Sequence, residues 1–218
     1  MSEDISIYAD ADKMICLDHT RLYYRNLRIT ASLIDVLPTQ SKDTVTVIIT
    51  EKQDILEKIN ADHFNFLIIV VPENVVMPLN ANLYNAIIYR YKECDSYQVI
   101  FEEILISLVS FIFDRDYSLD MSDVKKTLCF KQGQYLNIDY SSLNMNFLDE
   151  MEFYDFQYKT SFIIHMNLKS IKFEKMNDVM GIVGEKLVNE HWGDILCEVK
   201  DCGDIFPEEV LILYTVAD

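Results

Sequence analysis

The segment "TVTVIITEKQDILEKINADHFNFLIIVVP", residues 44–72, decides the fold class of this chain. It begins and ends with runs of strand length, 44–50 and 64–72, in which β-branched residues are frequent, as is typical of buried strands. Between these runs, Ile55, Leu56 and Ile59 have the spacing of one helix face. The order strand, helix, strand predicts a βαβ unit with a buried parallel sheet.

The remaining segments extend this α/β pattern. Residues 13–37 are less clear and are interpreted as a short strand or turn followed by a helix. Residues 96–113 are apolar nearly all round, as in a helix that lies between two layers. The second half of the chain then alternates helices with four strand-like runs. We therefore expect a mixed four-stranded sheet packed by helices.

This order divides the chain into three expected parts. Residues 1–95 would form a reduced α/β N-terminal domain, and residues 96–116 would form a long central helix. Residues 117–218 would form a C-terminal domain. No linker rich in Ser, Gly or Pro separates these parts, so we expect the boundaries to lie within ordered structure.

The composition is that of an acidic globular protein. About half of the 218 residues are apolar, which is enough to bury a sizeable core. The formal charge is −17, from 19 basic and 36 acidic residues, so contact with nucleic acid or with an anionic membrane is unfavourable. The densest basic run, residues 21–28, is interpreted as a helix with a basic edge.

The cysteines, histidines and termini add no sign of export or of metal binding. Five scattered cysteines without a CxxC pair indicate free thiols in a reducing compartment, and the four histidines have no ligand spacing. The first residues lack the order of a signal peptide. The longest apolar run, residues 99–113, contains two glutamates and is too short to span a bilayer. We expect a cytoplasmic protein with no metal and no membrane contact.

Several stretches resemble the tubulin/FtsZ family of cell-division GTPases and their relatives. "SFIIHMNLKSIKFEKMNDVMGIVGEKL", "GDILCEVKD" and "FPEEVLILYTVAD" have the order of strands and outer helix in the family's second domain. "FEEILISLVSFIF" is similar to its central helix, and "YSLDMSDVKKTL" to the loop and helix that follow. The resemblance covers about residues 44–218. It implies a truncated Rossmann-like first half that leads into an FtsZ-like C-terminal domain.

The chain departs from the family at the nucleotide site. The family binds its nucleotide with a glycine-rich loop, because backbone N–H groups can approach phosphates only where side chains are absent. All five glycines of this chain follow residue 130, so residues 1–95 cannot form that loop. The resemblance therefore implies a reduced member that has lost its nucleotide pocket, and we expect no cofactor and no enzymatic activity of its own.

The same resemblance indicates which residues would contact a partner subunit. In the family, the loop after the central helix reaches the next subunit and orients water at its nucleotide; the equivalent positions here are Ser118, Asp120 and Asp123. A second interpretation is local: Asp120 caps the following helix and Asp123 complements its dipole. The two interpretations are compatible with each other.

Three functions remain open from the sequence. The first is a non-enzymatic FtsZ-like accessory protein that binds a filament-forming GTPase, or itself, and modulates cytoskeletal assembly or cell division. The second is a GTP-binding FtsZ-like GTPase with a divergent pocket. The third is an unrelated α/β interaction module that shares only the order of its elements with the family.

Overall fold

The computed structural model describes part of the chain in two compact units. The described residues are 3–14, 27–78, 82–92, 121–129, 134–142, 160–168, 174, 176–178, 180–181, 192–201 and 209–217. The first unit comprises Met1–Phe113, Cys129–Leu136 and Ala217–Asp218, and the second comprises Asp114–Leu128 and Asn137–Val216. The expected central helix, residues 96–116, lies outside the described residues.

The first unit is built on a parallel sheet. Its strands are β1 (Glu3–Ala9), β2 (Leu27–Leu33), β3 (Val45–Ile49), β4 (Leu67–Pro72), β5 (Ala86–Tyr91) and the start of β6 (Gln134–Ser142). They lie in the order β2-β1-β3-β4-β5-β6, and every pair between them is parallel. Every residue of β3 and β4 is buried, which explains why both strands consist of apolar and β-branched residues.

The predicted βαβ unit is confirmed, with a shorter helix than expected. β3 and β4 are the two predicted strands, and α2 (Gln53–Leu56) lies between them. A 3₁₀ turn, Ala61–His63, replaces the rest of the expected helix. The reason is local: Asn60 is extended, and its side chain accepts a hydrogen bond from the N–H of Asp62. Such a bond competes with helix continuation.

Residues 27–33 correct one prediction. The helix expected within residues 13–37 is wrong for this part, which forms β2 and pairs with β1 along its whole length. The preceding residues Ala11–Met14 form a short helix, α1, directly after β1. The hydroxyls of Ser6 on β1 and Thr30 on β2 are hydrogen-bonded at 3.0 Å. This cross-strand bond satisfies a polar side chain that interrupts the apolar pattern of β1.

The second unit contains the predicted mixed sheet. β7 (Thr160–Leu168) pairs in parallel with β8 (Trp192–Asp201) and antiparallel with β9 (Glu209–Ala217). With the later residues of β6, the strand order is β6-β9-β7-β8, so the expected four strands are confirmed. The helix α3 (Met121–Leu128) precedes the sheet in sequence and buries Val124 and Leu128. Within the described part of the chain, none of the helices has the length and apolar character needed to span a bilayer.

Candidate functional site

The site lies where the path of the chain through the first sheet reverses direction. From β1 the chain moves to β2 on one side, and β3 then lies on the other side of β1. In parallel α/β sheets, ligands bind beyond the carboxyl ends of the strands at such a switch point. Ala9 and Ile49, the last residues of β1 and β3, are paired in register. Asp10 and Thr50 therefore leave the sheet side by side.

Asp10 is the centre of a charged cluster at this point. The residue is only 4% exposed. Its Oδ1 lies 2.9 Å from the Nζ of Lys52, and its Oδ2 accepts a 2.9 Å hydrogen bond from the hydroxyl of Thr50. The backbone N–H of Glu51 also donates to Oδ2, at 3.4 Å. One buried carboxylate is thus held by an ammonium, a hydroxyl and a backbone amide.

Lys13 brings a second ammonium to the cluster from α1. Its side chain is 1% exposed, and its Nζ lies 3.4 Å from Glu51 Oε1 and 3.9 Å from Asp10 Oδ2. A lysine is rarely buried to this extent unless it is paired with an anion. The carboxylates of Asp10 and Glu51 therefore compensate a charge that would otherwise be costly to bury.

Lys52 closes the cluster from the solvent side. Its side chain is 45% exposed, and its Nζ also lies 3.7 Å from Asp35 Oδ1. The hydrogen bond to Asp10 raises the pKa of Lys52 above its ordinary value of 10.5, although burial acts in the opposite direction. The lysine is therefore charged at neutral pH.

Backbone hydrogen bonds fix these positions. The N–H of Asp10 donates to Ile49 O at 3.2 Å, and the Asp10 carbonyl accepts from the N–H groups of Lys13 and Met14. The chain therefore turns from β1 into α1 at Asp10 itself. The N–H of Lys52 donates to the hydroxyl of Thr50 at 3.1 Å, so Thr50 links the carboxylate to the lysine that pairs with it.

The described residues at the switch point do not fit a nucleotide phosphate. A phosphate there would meet the carboxylate of Asp10, whose negative charge repels it. The two ammoniums that could attract a phosphate are already paired with carboxylates, and no glycine occurs before residue 133 to allow close approach of the backbone. This arrangement is a closed ion cluster rather than a phosphate cradle.

The structure places one of the three predicted contact residues. Asp123 lies in the first turn of α3 and is exposed, whereas Ser118 and Asp120 lie outside the described residues. The grouping of the three at a partner contact therefore stays a prediction. Among the described residues, no group of three or more His, Cys, Asp or Glu could hold a metal ion.

The cluster around Asp10 was missed by the sequence reasoning. A signal was present, because the alternating segment 3–9 is followed at once by an aspartate and, three residues later, by a lysine. An acidic residue directly after a parallel strand is placed at the edge of the sheet where ligands bind. The segment was not predicted to be a strand, and the aspartate therefore had no assigned position.

Comparison with known proteins places the fold. No family model matches the chain, and no curated protein matches its sequence significantly. Its structure is similar to that of a W319Y mutant of FtsZ from M. jannaschii, with a TM-score of 0.50 and 11% identity over 100% of this chain and 91% of that one. It is also similar to TubZ from Bacillus thuringiensis serovar israelensis in GDP-form protofilaments, with a TM-score of 0.52 and 10% identity over 99% and 83% of the two chains. The chain therefore has a tubulin/FtsZ-like fold, as the resemblance over about residues 44–218 predicted.

Proposed function

We propose that this chain is a non-enzymatic FtsZ-like accessory protein that modulates the assembly of a cytoskeletal filament. It binds a filament-forming GTPase, or a second copy of itself, through the end that carries Ser118, Asp120 and Asp123. The observation that carries the proposal is the ion cluster at the switch point, because its central carboxylate disfavours a nucleotide of the chain's own.

The fold supports a role in assembly. TubZ, one of the structural neighbours, is described as forming protofilaments. A subunit that lacks its own nucleotide can still offer the loop and helix of its second unit to the nucleotide-bearing face of a neighbour. It offers no nucleotide to the next subunit, so it would cap or limit the filament that it joins.

The exposed carboxylate of Asp123 suits such a contact. It lies in the first turn of α3, whereas Val124 and Leu128 on the same helix are buried. The apolar face therefore anchors the helix while Asp123 stays accessible. Removing the carboxylate should alter a contact without unfolding the helix, because exposed substitutions outside special features change stability little.

Co-sedimentation with the filament-forming GTPase of the same cell tests the proposal. We expect the wild-type chain to pellet with filaments, and Asp120→Ala together with Asp123→Ala to weaken this binding about tenfold or more, as for residues central to an interface. Asp178→Ala is the matched control, since it removes an exposed carboxylate elsewhere in the second unit. The proposal fails if the wild-type chain neither pellets nor changes filament mass.

Calorimetric titration separates this proposal from a GTPase with a divergent pocket. We expect no binding of GTP or GDP in the presence of Mg²⁺. A micromolar affinity for either nucleotide would favour the GTP-binding alternative. Sedimentation velocity over a range of concentrations then shows whether the chain associates with itself.

A further inference from the structure

The groups that hold Asp10 are those that usually hold a phosphate. Its carboxylate has two lysine ammoniums within 3.9 Å, accepts from one threonine hydroxyl and accepts from one backbone amide. Lysine, Ser/Thr hydroxyls and main-chain N–H groups are the common donors at phosphate sites. The donor set of an oxyanion site is therefore complete here, and a side chain of the same chain supplies the anion.

We propose that the Asp10 carboxylate is a built-in ligand of this oxyanion site, and that the same donors bind a phosphate group once the carboxylate is removed. The inference deepens the proposed function, on which it rests, by explaining how the switch point stays ordered without a nucleotide. In this proposal the oxyanion site is still present and is filled by the Asp10 carboxylate of the same chain; we call this a self-occupied site.

Geometry and burial support this interpretation. Asp10 comes directly after β1, so its position relative to β3 is fixed by the parallel register of the two strands. The donors come from both sides of the switch point, with Lys13 on α1 and with Thr50, Glu51 and Lys52 after β3. The Nζ of Lys13, whose side chain is 1% exposed, lies 3.4 Å from Glu51 Oε1 and 3.9 Å from Asp10 Oδ2, so removal of Asp10 takes away one of the two carboxylates that compensate this ammonium.

The test measures the response of Asp10→Ala to inorganic phosphate. Melting temperatures are compared in potassium phosphate and in potassium chloride of equal ionic strength. At a phosphate concentration about ten times the dissociation constant, we expect the variant to melt about 4 °C higher in phosphate than in chloride. The wild-type chain should differ by less than about 1 °C between the two salts.

Two further variants test the effect of net charge and the role of Lys52. Asp12→Ala removes an exposed carboxylate from the same short helix, so it makes the same change in net charge and should show no response to phosphate. Asp10→Ala combined with Lys52→Met should lose most of the response, because it removes one of the two ammoniums. A response of equal size in Asp12→Ala would overturn the proposal, since it would reflect net charge alone.

Refolding covers the case in which Asp10→Ala does not fold in chloride. Recovery of the folded variant in phosphate, but not in chloride, would support the proposal. If Asp10→Ala folds in neither salt while Asp10→Ala with Lys13→Met folds in both, the site does not accept phosphate and the proposal is overturned. A folded Asp10→Ala that melts equally in both salts overturns it as well, and leaves the co-sedimentation result of the wild-type chain unaffected.

Discussion

The hydroxyl of Thr50 gives the sharpest test of the ion cluster. Thr50 is fully buried, donates to Asp10 Oδ2 at 2.9 Å and accepts from the N–H of Lys52 at 3.1 Å. Thr50→Val keeps the shape of the side chain and removes both hydrogen bonds. One of them is to a charged group, which contributes about 1.5–3 kcal/mol. We expect the free energy of unfolding to fall by about 2.5 kcal/mol.

Thr46 on β3, the strand that Thr50 directly follows, provides a control. It is also fully buried, but its hydroxyl has no hydrogen-bond partner among the residues that the structure describes. Burying an unsatisfied hydroxyl costs about 1–3 kcal/mol in proteins. Thr46→Val removes this cost and should raise the free energy of unfolding by about 1 kcal/mol. The same change from threonine to valine thus has opposite expected effects on stability at Thr46 and at Thr50.

Urea unfolding followed by far-UV circular dichroism measures both variants. The expected gap between them is about 3.5 kcal/mol, which corresponds to about 1.7 M in the unfolding midpoint for a slope of about 2 kcal/mol/M. If Thr46→Val destabilises the chain as much as Thr50→Val does, the contacts of the Thr50 hydroxyl do not explain the loss. The reasoning about the cluster would then be refuted.

Two further predictions concern the core and the response to pH. Ile69→Ala, at a fully buried position of β4, should lower the free energy of unfolding by about 2–5 kcal/mol in urea titrations. Val76→Ala, at a 74% exposed position, should change it by less than about 0.5 kcal/mol. Equal losses of stability in the two variants would contradict the assigned burial. The hydrogen bond to Asp10 raises the pKa of Lys52 above its ordinary value of 10.5. Burial raises the pKa of Tyr8 above its ordinary value of 10.0. The stabilisation from these two groups is complete below their pKa values in the unfolded chain and is lost as pH rises through their pKa values in the folded protein. The melting temperature should therefore fall above about pH 10. A melting temperature that stays constant from pH 9 to 12 would exclude this linkage.

The parts of the fold that could be predicted are those in which one physical requirement dominates the sequence. β3 and β4 are buried along their whole length, so apolar and β-branched residues are favoured on both faces and the two strands stand out in the sequence. β7 and β9 also contain apolar runs, in which Ile163, Ile164 and Leu213 are buried.

β1 and β2 were missed because their signal is mixed. In β1 the apolar Ile5, Ile7 and Ala9 alternate with polar residues, and Ser6 is nevertheless buried. Its hydroxyl is accommodated by Thr30 of the next strand, which no local pattern reveals. β2 carries the exposed Leu33 at its end, and it follows a basic and aromatic run that was interpreted as a helix. In β2, tertiary pairing with β1 overrode the local preference for a helix.

The cluster could not be predicted from spacing, because its members meet through the sheet. Asp10 and Thr50 are 40 residues apart in sequence. They become neighbours only because β1 and β3 pair in parallel with Ala9 opposite Ile49. A sequence motif of the usual kind has its chemistry within a few residues, whereas this one depends on knowing two strands and their register.

Two explanations of the missing nucleotide loop differ in what they require of Lys13. If the site had merely been lost, its lysines would have no reason to stay at the switch point, and a buried ammonium there would only cost free energy. Lys13 is 1% exposed and lies within 3.9 Å of Asp10, while Lys52 lies 2.9 Å from the same carboxylate. The cations that an anion needs are therefore present and engaged. Under the proposed self-occupied site, a phosphate reaches these donors only by displacing Asp10, and Asp10→Ala in phosphate measures whether the donors then accept it.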